Sequence, residues 1–450
     1  MKHLTYLIAF LVMMGIVSWE DLLADDGSRN PQSISLRDAV SLALERNYQV
    51  NRSKANFEAE EARVQTAYGN FMPNLNISAG ASQQERTGPL IIQGERITGV
   101  RTSTNFSSGA SSNITLFDGF SNISNLNQAR YNRTSASYSL QNTERTVTTQ
   151  VYNLYFEVFR RQELLKVSEE NLNRSKAQLE RIQESHRVGA VPIVDVYRQQ
   201  VVVGNDELAL IQAEQNLENA KSDLVYYIGL NPIHDYEFDA ADVPTTISDD
   251  DIESTMERFR DFDELQRKTI ATRPDIEAAQ QRVYASESNV TAARGNYWPT
   301  VSVGANYNLT GESFSGIDES RTFRYGIDIT IPIFQRFQRS NQVQQARVQV
   351  KRAEIEEQEL RNQAMLDVRQ AYLFLETARK QVEVTRQNIV SAREEQRLAE
   401  ERYNLGAGTL LDLIIANANL AEAEANNVNA IFSFQLAIRE LEYLTGEELY

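Results

Sequence analysis

The chain has no cysteine, only three histidines, and just 9 prolines and 20 glycines in 450 residues. Without cysteine there is no disulfide, no thiolate metal site, no cysteine nucleophile and no lipid anchor on an amino-terminal Cys. His3, His186 and His234 are too few and too scattered to form a metal or catalytic cluster. No phosphate-binding glycine loop and no Ser/His/Asp arrangement is present either, so the expectation is a protein that is not an enzyme and has no catalytic, cofactor or metal site. A net charge of −17 with no basic stripe argues against a nucleic-acid partner. Beyond the amino terminus, no apolar run approaches the ~20 residues of a membrane-spanning helix, so if this chain crosses a bilayer it does so with strands.

The amino terminus, MKHLTYLIAFLVMMGIVSW, places Lys2 before an apolar run and is followed by Leu22-Leu23-Ala24. That is the layout of an export signal over residues 1–24 with a small-residue processing site. The long central segments are rich in Gln, Asn, Ala, Glu and Arg, the composition of long solvated helices.

The chain also repeats itself. ERNYQV (45–50) lies over ATRPDI (271–276), and GNFMPNLNIS (69–78) over GNYWPTVSVG (295–304), both at an offset of 226. NITLFDGF (113–120) lies over TIPIFQRF (330–337), Gly189 over Gly406, Asp195 over Asp412 and Gly229 over Gly446, all at 217. The change of offset places one length difference between Pro73 and Ile114, where a loop is expected. These matches indicate a tandem duplication: a first repeat over 25–229, an acidic connector over 230–259 and a second repeat over 260–450.

Within each repeat the period changes in a fixed order. Residues 36–70 read as a helix capped by Ser35, and Pro73 and Pro299 mark helix-to-strand junctions. Period-two alternation then predicts strands over about 74–82 and 104–117, and again over about 300–309 and 322–333. The polar stretches Gln83–Ser103 and Thr310–Arg321 are expected as loops. In the fourth strand Phe323, Tyr325, Ile327, Ile329, Ile331 and Ile333 alternate with residues that are mostly polar. A helix over about 120–187 comes after the second strand, with a heptad seam through Val147, Val151, Leu154, Val158, Leu165, Leu172, Leu179 and Ile182. At 1.5 Å per residue it would be about 100 Å long, so helices of this kind must pack in a bundle or tube. The seam continues through Val196, Val203, Leu210, Leu217 and Leu224, matched in the second repeat by Leu413, Leu420, Asn427, Phe434 and Leu441. Four strands per chain cannot close a barrel in lipid, so crossing the bilayer requires several copies.

The doubled order of helix, strand, strand, long helix, break and helix resembles the TolC-like outer-membrane efflux proteins over nearly all of the mature chain. The resemblance rests on Gly-Asn-[Phe/Tyr]-x-Pro at 69–73 and 295–299, [Ile/Leu]-Phe-x-x-Phe at 116–120 and 333–337, and a Gly-Ala pair ahead of an aspartate at Gly189/Asp195 and Gly406/Asp412. It implies an α+β membrane protein: a homotrimer whose twelve strands, four per chain, form one transmembrane β-barrel continuous with a long periplasmic α-helical barrel. Such a protein sits in the lipid of a Gram-negative outer membrane and spans into the periplasm. It is the exit duct of a tripartite efflux or type I secretion system, fed by an inner-membrane transporter of the RND, ABC or MFS class through a periplasmic adaptor protein. A periplasmic coiled-coil scaffold without transport is the competing reading.

By the same resemblance Val188-Gly189-Ala190 and Leu405-Gly406-Ala407 are the tips that meet the adaptor, while Asp195, Tyr403, Asp412 and Ile415 belong to the periplasmic gate. The family carries an aspartate at the position of Asp412 and a second one turn later, where this chain has Ile415. It ties the acid at Asp195 to the tyrosine at Tyr403, and the basic residue that accompanies them is replaced here by Gly408. Read from the residues alone, Asp195 and Asp412 fit helix capping as well as a ring of charge at a constriction.

Overall fold

A computed structural model describes residues 33–92, 95–240 and 243–446. The export signal expected over residues 1–24 lies outside them. In chain order the elements are α1 (Leu36–Arg46), α2 (Tyr48–Gly69), β1 (Asn76–Ile92), β2 (Glu95–Phe117), α3 (Ser121–Arg187), α4 (Ile193–Tyr227), α5 (Asp249–Arg258), α6 (Phe262–Thr272), α7 (Pro274–Gly295), β3 (Thr300–Gly311), β4 (Ser320–Thr330), α8 (Gln338–Asn404) and α9 (Leu410–Thr445). The same order occurs in both halves, and α3 and α8 have the same length, 67 residues.

The single helix expected over 36–70 is two. Ser35 and Asp38 form a capping box that starts α1, and the chain breaks at Asn47, which ends α1 and caps α2. The Asn47 side chain accepts from the Gln49 N–H at 2.8 Å and donates to the Tyr227 carbonyl at 2.8 Å. The break therefore has a partner, the carboxyl end of α4. Gly229, at φ +79°, lies so close to this junction that a Cβ on it would sit 2.8 Å from Arg46 Cβ and 3.0 Å from the Arg46 carbonyl oxygen. In the second half α6 stops before Pro274, which opens α7, and Gly446 at φ +73° would meet the Thr272 Cβ at 2.6 Å. Thus α4 abuts the α1–α2 junction and α9 the α6–α7 junction, whereas α3 and α8 run past both joints unbroken.

The seam residues form the core. Val147, Val151, Val158 and Ile182 on α3 are buried, as are Leu224 on α4 and Leu413, Phe434 and Leu441 on α9. Asn427, the polar break in the stripe, is half-buried and accepts from Thr385 Oγ1 at 3.3 Å. Helix α3 packs between α2 and α7 along its first half, and between α4 and α9 along its second. The acidic 230–259 segment is rooted in this core: Ile34 bridges Phe238, and the buried Tyr155 hydroxyl donates to the carbonyls of Ile34 (3.0 Å) and Asp239 (2.6 Å). Helices α5 and α6 pack through Met256, Phe259 and Leu265 on the middle of α8.

The four strands form one antiparallel sheet in the order β1-β2-β3-β4, so β1 and β4 are open edges. Residues 83–103, expected as a loop, are strand: β1 and β2 stay in register out to Ile92 opposite Glu95. Pairing of β2 with β3 stops at Phe106 opposite Gly311, so this hairpin extends alone for about 35 Å at ~3.3 Å per residue. Its polar composition lacks the alternation that marks a half-buried strand, and Gly88, Pro89 and Gly99 look like turn formers. Pro89 is tolerated because β1 is an edge. The fourth strand ends at Thr330, ahead of the expected 333, because Ile331–Gln335 leave the ladder for the junction with α8.

Candidate functional site

The two helix breaks at 188–190 and 405–407 have the same backbone. Gly189 (φ +78°) donates to the His186 carbonyl at 2.8 Å and Ala190 to the Ser185 carbonyl at 2.8 Å. Gly406 (φ +71°) donates to Tyr403 at 3.0 Å and Ala407 to Arg402 at 2.8 Å. Both are Schellman caps, in which a left-handed residue lets the chain satisfy the last carbonyls of a helix, and glycine takes that conformation without a Cβ penalty. Unlike Gly229 and Gly446, neither tip glycine is crowded: a Cβ on Gly189 or Gly406 would meet nothing within 4 Å. The preceding side chains, Val188 and Leu405, are 71% and 83% exposed. The tips are therefore apolar knobs beside bare backbone.

Behind them, Ile182, Val196 and Leu410 form a small core with Leu179, Val191, Tyr403 and Ile414 packed against it. Tyr403 enters this core from the last turn of α8, and its hydroxyl is buried with no hydrogen-bond partner. Burial, and then the charge of Asp195, push its pKa up. The structure thus brings Asp195 and Tyr403 into one neighbourhood without a hydrogen bond between them; Asp195 instead holds Arg198 at 3.3 Å. Asp412 accepts from the Thr409 N–H at 3.1 Å and the Thr409 hydroxyl at 2.8 Å, while Thr409 Oγ1 accepts from the Asp412 N–H at 3.2 Å. These bonds, with a smaller contribution from the charge of Arg402, hold its pKa below the usual carboxylate range.

Ile415 is half exposed and shares a groove between α8 and α9 with Asp412, Leu398, Arg402 and Gly408. Sequence reasoning missed Arg402. It took Gly408 as the loss of a basic residue, yet Arg402 packs against Gly408 and reaches the Ala407 carbonyl at 3.4 Å, placing a cation beside Asp412 from one turn back.

Pro73 lies between α2 and β1, and Pro299 between α7 and β3. After α2, hydrogen bonds from Phe71 to Tyr68 and from Met72 to Gly69 make a turn; Pro73 then extends the chain, and the Asn74 N–H meets the Asn113 carbonyl at 3.1 Å. Trp298 turns back onto Gly295 in the same way ahead of Pro299. The return junctions are also paired. Gly119-Phe120 and Arg336-Phe337 both take positive φ, and each second phenylalanine meets the first edge to face, at 5.5 Å (Phe117–Phe120) and 6.1 Å (Phe334–Phe337). Met72, Trp298, Phe120, Phe334 and Phe337 are exposed, giving the helix–sheet boundary an aromatic band.

Above this band the sheet has two unlike faces. Phe323, Tyr325, Ile327 and Ile329 of β4 lie opposite Tyr307, Ala305, Val303 and Val301 of β3. A bulge between Thr115 and Phe117 of β2 brings Ile114 and Phe117 onto this same face, opposite Val303 and Val301. All four β4 residues are more than 60% exposed, so nothing among the described residues covers the apolar side. The other face carries Ser, Thr, Asn and Gly, with Arg324 and Asp328 on β4. Among the described residues no helix is long and apolar enough to cross a membrane, and no His/Cys/Asp/Glu group could hold a metal ion.

Comparison with known proteins agrees with this geometry. Residues 39–230 and 265–447 match the family described as outer membrane efflux protein. The chain is 25% identical to protein CyaE of Bordetella pertussis over 92% of its own length and 84% of that protein, and 24% identical to outer membrane efflux protein BepC of Brucella suis over 92% and 86%. Its fold matches the CmeC outer membrane channel of Campylobacter jejuni with a TM-score of 0.74 at 19% identity, covering 96% of this chain and 91% of that one.

Proposed function

The chain belongs to the outer membrane efflux protein family, and from that membership we propose that three copies close into one exit duct, with a twelve-stranded barrel in the outer membrane and a helical barrel in the periplasm. It is an outer-membrane efflux protein, and its family is one of channels, not enzymes. In this reading residues 25–229 and 260–450 are duplicated copies, joined by the segment 230–259 at mid-height. The tips Val188-Gly189-Ala190 and Leu405-Gly406-Ala407 receive a periplasmic adaptor, which connects the duct to an inner-membrane transporter of the RND, ABC or MFS class for efflux or type I secretion. Asp195, Tyr403, Asp412 and Ile415 narrow the entrance, with three Asp412 carboxylates forming an acidic ring.

The observation that carries the proposal is surface left without a partner. The apolar sheet face ends in two open edges, which lipid does not tolerate. Lower down, α4 shows solvent a second heptad stripe, Val194, Tyr197, Val201, Leu208 and Ile211, each more than half exposed and facing away from its seam with α3. At the opposite flank α8 exposes Val384 and Leu398, two heptads apart. A threefold ring sets the α4 stripe of one copy against α8 of the next and joins β4 to the neighbour's β1.

Light scattering on protein extracted from outer membranes in detergent is expected to give the mass of three chains. Val201→Asp with Leu208→Asp is expected to release monomers that keep their helical circular dichroism. A wild-type monomer, or a protein that fractionates as soluble, would refute the proposal.

A further inference from the structure

We propose that the inner wall of the barrel is an almost uncharged surface interrupted by two rings of opposite charge, Asp328 and then Arg324, which makes it a filter favouring neutral and internally compensated solutes over strongly charged ones. This deepens the duct reading and rests on it, since that reading turns the polar sheet face toward the lumen.

The cross-strand register fixes what lies on that face. Arg324 pairs with Asn306, Gly326 with Gly304 and Asp328 with Ser302. Continuing across the sheet, Asn306 faces Ser111 and Gly304 faces Asn113. Over the rows where all four strands pair, every other residue of this face is Ser, Thr, Asn or Gly, with Asn76, Ser78 and Gly80 as the contribution of β1. The glycines thin the wall. A Cβ on Gly109 would collide with the Asn308 side chain, and one on Gly304 would lie 3.5 Å from Asn113 Oδ1, so amides lie flat where glycine leaves room.

Against this lining Arg324 and Asp328 stand out. Both are exposed, and neither side chain makes an ion pair or hydrogen bond with any described residue. In the proposed assembly β4 meets β1 of the next copy, whose residues on this face from Asn76 to Gln84 bring no charge, with Arg86 farther out along the same strand. Four residues along a strand separate the two rings by about 13 Å. That exceeds the ~8 Å screening length of physiological salt, so they act as separate barriers and not as neutralised pairs. Because β4 runs back toward the helices, an outgoing solute passes Asp328 first and Arg324 second. An anion is resisted at the first ring and a cation at the second, while a neutral or zwitterionic molecule meets no net barrier.

The chain has no cysteine, so a single introduced thiol reports on one place. Asn306→Cys and Ser302→Cys, made separately in the full-length protein in outer membranes, would be treated with membrane-impermeant thiosulfonate reagents, one anionic and one cationic. A unit charge about 5 Å away across the strands, screened by salt, biases each reagent roughly two-fold. The anionic-to-cationic rate ratio should therefore be raised about four-fold at residue 306 and lowered by a similar factor at residue 302. Arg324→Gln should abolish the bias at 306 and Arg324→Lys should keep it, with Asp328→Asn abolishing the opposite bias at 302. Equal reaction with both reagents at both sites would overturn the charge rings while leaving the duct intact. Silence at both thiols, together with reaction at Val303→Cys on the apolar face, would overturn the duct reading itself and the filter with it.

Discussion

Four glycines hold positive φ just past helix carboxyl ends, and they separate into two kinds that a methyl group distinguishes. At Gly229 an alanine would pay the left-handed penalty of about 1–2 kcal/mol. Its Cβ would also press to 2.8 Å on Arg46 Cβ and 3.0 Å on a carbonyl oxygen that belongs to the backbone and yields little. Overpacking of that sort adds about 1–3 kcal/mol, for a total of roughly 2–5 kcal/mol, with the same expected at Gly446. At Gly189 and Gly406 there is no collision within the chain. Asparagine, which tolerates the left-handed region, should cost these tips no more than a few tenths of a kcal/mol while adding bulk. Thermal unfolding of the purified protein is expected to show a clear fall in Tm for Gly229→Ala and almost none for Gly189→Asn with Gly406→Asn. The resistance of the host to a panel of toxic compounds, with the mutant gene replacing its own copy, should reverse that ranking: the tip double variant is stable but fails to export. Wild-type export by the tip variant would reduce both glycines to helix caps and end the docking argument. A wild-type Tm for Gly229→Ala would show that the crowding is not rigid.

The remaining predictions concern three side chains. Tyr403→Phe removes a buried hydroxyl that has no hydrogen-bond partner among the described residues, so the chain should lose no stability; if Tyr403 and Asp195 hold the entrance shut, Tyr403→Phe and Asp195→Ala should each raise single-channel conductance in planar bilayers, and unchanged conductance in both would end the latch idea. Tyr155→Phe removes a buried hydroxyl that bonds the Ile34 and Asp239 carbonyls and should cost about 0.5–1.5 kcal/mol, read as a lower denaturant midpoint and faster proteolysis of the segment 230–248. Glu440 has its pKa raised by burial and then by Asp367, against the pull of Arg273. An acid shifted upward subtracts stability as pH climbs from its ordinary value to its raised one, so Glu440→Gln should raise the Tm at pH 7 and change little at pH 4.

The elements with one apolar face were legible in the sequence, and those without one were not. The α3 and α4 seams could be read because a greasy stripe of period 3.5 has a direct physical cause in one-sided burial, and β3 and β4 because their apolar residues alternate onto one face of the sheet. The outer part of the β1–β2 hairpin has a polar sequence without such alternation and so carries no such trace. The break at Asn47 was hidden for another reason: its cause is Tyr227, 180 residues away, and no local signal records that neighbour. At the tips, the glycine spacing and the Thr409–Asp412 box were visible because capping is a local code. Arg402 was not, because its approach to Asp412 depends on how tightly the chain reverses at Gly406.

The open edges of the sheet also order events in time. A lone chain that has already built its helices still holds a greasy four-stranded patch, with unpaired N–H and C=O groups along β1 and β4. Water does not favour the patch, and hydrocarbon does not accept the edges. If three copies close the barrel as proposed, neither phase can receive the sheet until the others complete it, so closure of the ring and entry into the bilayer must happen as a single act. Until then the freshly exported chain is at its most vulnerable, and its hazard is edge-to-edge sticking.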